Sequence, residues 1–324
     1  MRQRRLIAFL PAVSLALLIA CDFGELCPTT LMEASDESAA VTIQTTGDPY
    51  LPGFYENTSF DLDRCEADAP LKLRIVAPTA PGTYSVVVLQ HGFQVTNHSY
   101  DQIASHIASH GFVVILPRMY DAGLGPIIGM PSAAIETERA AVVIDWLPSG
   151  LERLPGVSIN NTRIGLAGHS RGAKVAFGVV KAGASRVAAL AGVDPVDGTG
   201  GPGGNEPRVI DGVLPFDIPT LILGAGLGGA CAPDGDNYAA FFDACPSPSV
   251  LVVATDYGHG DMLDEETAGL AASVCESNAD REPMRRLTAG LLVAFFRAHL
   301  QNNSEIPDGI EAPGSPTRIT IERK

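Results

Sequence analysis

Apolar and polar positions along residues 40–300 form a pattern typical of strands that alternate with helices. Several apolar runs are unbroken stretches of valine, isoleucine and leucine, which indicates strands covered by helices on both faces. The pattern predicts strands at 71–76, 85–90, 112–116, 163–167, 187–193, 220–224 and 250–254. It predicts helices at 100–110, 132–147, 173–181 and 282–299. We therefore expect one doubly wound α/β domain with a mostly parallel sheet at 49–300.

The first residues have the organisation of an export signal. Arginines at positions 2, 4 and 5 precede an apolar stretch at 6–20, which is too short for a comfortable membrane-spanning helix. The sequence Leu18-Ile19-Ala20-Cys21 fits the bacterial lipobox, in which Cys21 is lipidated and becomes the first mature residue. A plain secretory signal cleaved near Ala20, or an uncleaved anchor, is the alternative. We expect a signal peptide at 1–20 and an exported protein that is held on a membrane through Cys21, facing the periplasm or the cell exterior.

The two ends of the mature chain have the composition of extended segments. Residues 22–48 are polar and acidic and are interpreted as a tether between the lipid and the domain. Residues 301–324 contain three prolines and many charges and are interpreted as an extended C-terminal tail.

The charge excludes several classes of function. Removal of residues 1–20 deletes three arginines and takes the formal net charge from −15 to −18. Such a surface argues against nucleic acid as a partner and against electrostatic attraction to anionic lipid. Two glycine-rich matches at 198–203 and 224–229 lack the helix that a dinucleotide site requires. Because no histidine or cysteine cluster has metal-ligand spacing either, we expect neither a cofactor nor a metal.

Five cysteines follow Cys21, and export makes disulfides plausible among them. Cys231 and Cys245 lie fourteen residues apart around a loop-like segment, so we expect them to pair. A bond between Cys27 and Cys65 would fasten the N-terminal arm and leave Cys275 free. Connectivity does not follow from sequence alone, so each pairing is a hypothesis.

A nucleophile elbow carries the main chemical prediction. Gly168-His169-Ser170-Arg171-Gly172 lies between an apolar run that predicts a strand and a stretch that predicts a helix. A serine at such a turn is lifted clear of the sheet, and the flanking glycines provide room for neighbouring backbone. The alternative is an ordinary turn with a surface serine, but the strand before and the helix after favour the elbow and the α/β-hydrolase fold.

A serine nucleophile needs a histidine base and a carboxylate, which follow it in this order: Ser, acid, His. His259 comes directly after the strand at 250–254 and is the predicted base, whereas His299 lies within an amphipathic helix. Asp194 ends the strand at 187–193 and is the predicted acid, because the following proline stiffens the turn. Asp197 is the local alternative.

The remaining catalytic features are an oxyanion hole and a pocket. The amide of Arg171 and the amide of Phe93 are the predicted oxyanion donors, and the Phe93 ring would line the pocket. His91 and His169 are expected to be structural. The apolar, glycine-rich segment 121–132 is interpreted either as a flexible lid or as a buried connection. Its candidate pocket side chains are Leu124, Ile127, Ile128 and Met130.

Taken together, the motifs resemble the plant chlorophyllases over most of residues 65–300. The similar segments, in chain order, are 91–93, 168–172, 193–198, 231–245, 256–264 and 281–286. Ala173 stands where that family usually has a further glycine, and a lipoprotein-type signal replaces any plastid targeting sequence. The resemblance implies a Ser-Asp-His esterase and favours Asp194 as the acid. It also implies an ester of a long apolar alcohol as substrate, phytol in chlorophyll.

Other functions remain open on the same residues. Related folds include polyester- and cutin-degrading hydrolases and phospholipid-type acyl hydrolases. Acyl transfer to an alcohol would use the same groups as hydrolysis. A non-catalytic, lipid-anchored binding protein on this fold is the alternative from a different functional class.

Overall fold

The computed structural model describes residues 47–120, 130–152, 158–198, 206–301 and 314–324. Within these residues, nine strands form one sheet in the order β1-β2-β4-β3-β5-β6-β7-β8-β9. The pairs from β4 to β8 are parallel, and the pairs β1–β2, β2–β4 and β8–β9 are antiparallel. The strands are β1 (Asn57–Leu62), β2 (Leu73–Pro78), β3 (Thr83–Gln90), β4 (Phe112–Pro117), β5 (Ser158–His169), β6 (Val187–Val193), β7 (Thr220–Ala225), β8 (Ser249–Ala254) and β9 (Ile319–Arg323).

Helices cover both faces of the sheet, and the alternation of side chains along each strand explains why. In β3, Val86 and Val88 enter one apolar cluster, while Val87 and Leu89 enter the other, since successive side chains point to opposite faces. One cluster also contains residues of α2, α3 and α4, and the other contains residues of α1, α5 and α6. The helices are α1 (Asp101–Ser109), α2 (Ala133–Leu151), α3 (Arg171–Lys181), α4 (Tyr238–Ala244), α5 (Glu265–Ala271) and α6 (Glu282–Leu300).

Local signals explain where the long helices begin. The side chain of Ser132 caps α2 by accepting a hydrogen bond from the amide of Ile135 at 3.3 Å. Proline in the first turn of α6 needs no amide partner there. Short 3-10 turns at Glu66–Asp68 and Asn97–Tyr100 complete the regular structure of the described ranges. No helix among these residues is long and apolar enough to cross a membrane.

The doubly wound, mostly parallel α/β sheet predicted from the sequence is confirmed, and four elements were not predicted. These are the edge strands β1 and β9 and the short helices α4 and α5. The tail at 301–324 is therefore more than an extended terminus, because β9 pairs with β8 along Val250–Ala254. The carboxyl ends of β5, β6 and β8 lie at one edge of the sheet, where ligands bind in such folds.

Candidate active site

Ser170 occupies a strained turn between β5 and α3. Its backbone has φ 56° and ψ −122°, a conformation that a non-glycine residue rarely adopts. A Cβ atom on Gly168 would lie 2.2 Å from the carbonyl oxygen of Gly172, and one on Gly172 would lie 2.3 Å from that of Gln90. Only glycine fits at both positions, so the turn has the geometry of a nucleophile elbow.

His259 lies between Ser170 and Asp194 and is hydrogen-bonded to both. Its Nε2 is 2.8 Å from Ser170 Oγ, and its Nδ1 is 2.6 Å from Asp194 Oδ2. The other carboxylate oxygen of Asp194 accepts the amide of Ala225 at 2.9 Å, and the Asp194 side chain is fully buried. The carboxylate thus orients the imidazole so that Nε2 faces the serine hydroxyl.

Asp197, the alternative acid, has a different role. Its two oxygens accept the amides of Val209 and Ile210 at 2.8 and 2.9 Å, and it forms an ion pair with Lys174. These bonds hold the backbone at residues 209 and 210 and the side chain of Lys174. Of the two carboxylates, only Asp194 contacts the histidine in this structure.

Hydrogen bonds to Asp261 hold the loop that carries His259 in place. One oxygen of this buried carboxylate accepts the amides of Gly258 and Asn278 at 2.7 and 2.8 Å. Its other oxygen accepts the hydroxyl of Ser277. Asp261 thereby ties the histidine loop to the segment that follows α5.

The loop after β3 packs against the elbow. The carbonyl of Gly92 accepts the hydroxyl of Tyr120 at 2.9 Å and Nδ1–H of His91 at 3.0 Å. Burial lowers the pKa of His91 to about 4, so the ring is neutral, and its Nε2 accepts the amide of Met119. Because a trans peptide directs its carbonyl and its amide to opposite sides, these bonds also set the direction of the Phe93 amide.

The side chain of Arg171 connects the start of α3 to α2 and to Glu206. It donates to Glu136 at 2.7 Å, to the two oxygens of Glu206 at 2.8 and 2.9 Å, and to the carbonyl of Pro131 at 2.9 Å. Burial raises the pKa of Glu136 to about 7, although Arg171 opposes that shift. As the first residue of α3, Arg171 has an amide without an intrahelical acceptor.

Sequence comparisons identify the family of this chain. The sequence model of the chlorophyllase family matches residues 45–321. The chain belongs to the chlorophyllase family. It is 38% identical over 274 residues to chlorophyllase-2 of Arabidopsis thaliana, covering 76% of this chain and 84% of that protein. It is 36% identical over 292 residues to the chloroplastic chlorophyllase-1 of Citrus unshiu, covering 84% and 86%. The family likeness makes the chain an α/β-hydrolase and a hydrolase of carboxylic esters.

A cavity of about 760 Å³ opens beside Ser170 in this member of the chlorophyllase family. One wall is apolar and comes from α5 and its flanks. The lining also includes the side chains of Lys174 and Asp236 and the exposed ring of Phe93. The apolar wall consists of Leu263, Leu270, Ala271 and Val274.

The pocket residues expected from the sequence contribute little to the described cavity. Leu124, Ile127 and Ile128 lie outside the described residues. Met130 is half-buried and does not belong to the described lining, whereas Phe93 does. The apolar wall was missed because α5 is short and its apolar positions do not form a long periodic stretch. Four apolar residues within 270–274 were the available signal.

The predicted pairing of Cys231 with Cys245 is wrong. Cys231 is bonded to Cys275, with a Cα–Cα distance of 5.6 Å, and both line the cavity. Cys245 is a free, buried thiol because α4 turns it into the apolar core beside Phe241 and Phe242. The expectation that Cys275 is free is therefore also wrong. Cys65 is disulfide-bonded, and both Cys27 and Cys21 lie outside the described residues.

No cluster of His, Cys, Asp and Glu side chains suited to a metal ion occurs in the described ranges. The polar groups around Ser170 are instead hydrogen-bonded to each other. A serine hydroxyl that is hydrogen-bonded to a histidine in this way is suited to nucleophilic acyl chemistry.

Proposed function

We propose that this protein is a serine carboxylesterase in which Ser170, His259 and Asp194 form the catalytic triad. The observation that carries the proposal is the bridging position of His259, which is hydrogen-bonded to the serine hydroxyl and to the buried carboxylate at once. This is the constellation that makes a serine hydroxyl nucleophilic at neutral pH.

In the first half of the reaction, Ser170 Oγ attacks the ester carbonyl carbon while His259 Nε2 takes the hydroxyl proton. The amides of Phe93 and Arg171 stabilise the oxyanion of the tetrahedral intermediate. The intermediate collapses as His259 returns the proton to the alkoxide oxygen, which leaves as the alcohol. The carboxylate of Asp194 stabilises the imidazolium that exists between these two transfers.

In the second half, His259 removes a proton from water, and the hydroxide attacks the acyl-enzyme. Collapse of the second intermediate breaks the bond to Ser170 Oγ, which regains its proton from His259. The products are a carboxylic acid and an alcohol, and the residues return to their starting state.

The substrate that we propose is an ester of an apolar alcohol, with chlorophyll cleaved to chlorophyllide and phytol as the leading case. The apolar wall of the cavity, formed by Leu263, Leu270, Ala271 and Val274, supports this assignment. The names of the relatives, which are chlorophyllases, support it independently. Polyester-, cutin- and phospholipid-type acyl esters are the outcomes that would replace it.

We further propose that the enzyme is exported and anchored to a membrane through lipid on Cys21. The lipobox-like sequence at 18–21 supports this proposal. Phase partition in a cloud-point detergent tests it, since the full-length protein should enter the detergent phase. The Cys21→Ser variant should remain in the aqueous phase, and equal partition of the two proteins would refute the lipid anchor.

The catalytic proposal is tested with protein that lacks residues 1–21. Hydrolysis of chlorophyll and of a short p-nitrophenyl ester is compared in the same detergent, for the parent, Ser170→Ala and the control Ser149→Ala. Ser149 is an exposed serine at the end of α2, remote from the cavity. Loss of the triad serine should lower kcat by about 10⁴-fold or more, with the control unchanged.

The results separate the proposals. Chlorophyllide release at a rate that rivals the simple ester would support chlorophyll as the substrate. Ester cleavage without chlorophyllide would support a carboxylesterase for another apolar ester. A parent protein that neither hydrolyses esters nor reacts with a fluorophosphonate at Ser170 would refute the catalytic proposal and favour a binding protein.

A further inference from the structure

A buried chain of hydrogen bonds joins the loop after β3, the elbow and the histidine loop. The amide of Gly92 donates to the hydroxyl of Tyr100 at 2.9 Å, and that hydroxyl is 2.7 Å from Nδ1 of His169. On the other side of the ring, His169 Nε2 is 2.9 Å from the carbonyl oxygen of His259. Tyr100 and His169 are both almost completely buried, at 1% and 3% exposure, so water does not compete for these bonds.

The direction of every bond in this chain follows from the donors and acceptors available. The carbonyl of His259 can only accept, so Nε2 of His169 must carry a proton. The backbone amide of Gly92 can only donate, so the hydroxyl of Tyr100 accepts there and has its own proton free for Nδ1 of His169. Each group in this series therefore donates to the next: the Gly92 amide to Tyr100, the Tyr100 hydroxyl to His169, and His169 Nε2–H to the carbonyl of His259.

The protonation states are consistent with that direction. Burial lowers the pKa of His169 well below its usual range, and the neighbouring His259 lowers it further, so the ring stays neutral. Burial raises the pKa of Tyr100, so its hydroxyl keeps its proton. One neutral tautomer of His169 satisfies both neighbours, and the bond from Tyr100 selects it.

We propose that Tyr100 and His169 are positioning residues that hold the Gly92–Phe93 loop and the His259 loop in fixed relation to Ser170. His169 directly precedes the proposed nucleophile in the sequence. It therefore belongs to the elbow and is also hydrogen-bonded to the backbone of the proposed base, His259. Tyr100 connects His169 to the loop that carries the proposed oxyanion donor Phe93, because its hydroxyl accepts the amide of Gly92. This inference rests on the proposed function, because it assigns a role to residues that surround the triad without contacting substrate.

The groups around these hydrogen bonds are closely packed, so loss of the bonds should shift the loops relative to Ser170. The rings of His169 and His259 lie 4.8 Å apart between centroids, and a Cβ atom on Gly92 would lie only 3.0 Å from His169 Nδ1. Since misplacement by about 1 Å can cost on the order of 10²-fold in rate, loss of these bonds should reduce kcat.

The test compares His169→Leu, His169→Gln and Tyr100→Phe with the parent on the p-nitrophenyl ester. Glutamine can still donate to the carbonyl of His259 and accept from Tyr100, whereas leucine can do neither. We expect His169→Leu and Tyr100→Phe to lower kcat roughly 10- to 100-fold with KM changed less than about 3-fold. His169→Gln should recover most of the lost kcat.

A matched control separates positioning from stability. Tyr84 is also buried, and its hydroxyl donates a single bond to the carbonyl of Ala80 at 2.7 Å, away from the cavity. Tyr84→Phe should lower the thermal midpoint to a similar degree as Tyr100→Phe but leave kcat unchanged. If the two variants had equal kcat, the proposed role of Tyr100 would be refuted.

The double variant provides the decisive readout. If the chain acts as one unit, adding Tyr100→Phe to His169→Leu should change kcat less than about 2-fold further. Multiplicative effects of the two substitutions, or full kcat in His169→Leu, would overturn the proposal while the parent remained an active esterase. An inactive parent that fails to react with a fluorophosphonate would instead overturn the proposed function, so the two failures are distinguishable.

Discussion

Removal of the disulfide between Cys231 and Cys275 should destabilise the protein by an amount that the chain length between the cysteines determines. The bond closes a loop with a sequence separation of 44. The chain-entropy relation gives about 4 kcal/mol for a loop of that size, because the unfolded chain regains the freedom that the cross-link removed. For a domain of about 280 residues, that loss corresponds to a thermal midpoint lower by roughly 7 °C.

The assay is urea unfolding at equilibrium, followed by far-ultraviolet circular dichroism without reductant. The Cys231→Ser/Cys275→Ser variant of the protein lacking residues 1–21 is compared with the parent and with Cys245→Ala. The control removes a buried thiol without removing a cross-link and should cost only about 1 kcal/mol. The double variant should also bind large apolar esters less tightly, because both cysteines line the cavity.

Two outcomes would refute this reasoning. One is a double variant as stable as the parent with Cys245→Ala strongly destabilised. The other is a peptide map in which Cys231 is linked to Cys245. Trypsin cannot resolve the three cysteines, because no lysine or arginine lies between Arg208 and Arg281. Cleavage before aspartate separates them and gives a direct answer.

Two further substitutions test charges at the site. Asp194→Asn should lower kcat by about 10⁴-fold with little effect on KM, because the imidazole loses its carboxylate partner and its tautomer; steady-state kinetics that showed less than 10-fold loss would exclude Asp194 as the acid. Glu136→Gln should flatten the pH dependence of stability. With its pKa raised to about 7 in the folded state, Glu136 binds a proton more tightly than in the unfolded chain, so the free energy of unfolding falls as pH rises through that range. Between about pH 5.5 and 8 the parent should lose on the order of 2 kcal/mol relative to Glu136→Gln in urea unfolding, and parallel pH profiles would contradict the burial argument.

The parts of the fold that could be predicted are those with a strong local pattern. The buried parallel strands are unbroken apolar runs, and β6 begins and ends as the pattern indicates. The edge strands β1 and β9 are half-exposed and mostly polar, with burial that alternates weakly, so they resemble loops in sequence. Their pairing depends on neighbours that are distant in the chain.

The candidate site divides in the same way. The proximity of Ser170, His259 and Asp194 was predictable because each follows a recognisable strand, and parallel strands bring their carboxyl ends to one edge. The disulfide was not predictable from spacing, because Cys231 and Cys275 are 44 positions apart and are brought together only by the tertiary fold. The bonds of Tyr100 with Gly92 and His169 join residues up to 69 positions apart and leave no periodic signal.

Strand β9 affects the tendency of the protein to self-associate. β9 covers the outer edge of β8, whose residues at 250–254 are all apolar, and it presents Glu322 and Arg323 outwards as exposed charges. An uncovered apolar strand edge is a template for pairing with another chain, whereas a short, charged one is a poor template. The C-terminal residues thus protect the protein against aggregation. A truncation or a fusion partner at the C-terminus should lower solubility before it affects the candidate site, because β9 ends beside the amino end of β8 and the site lies at the carboxyl ends of the parallel strands.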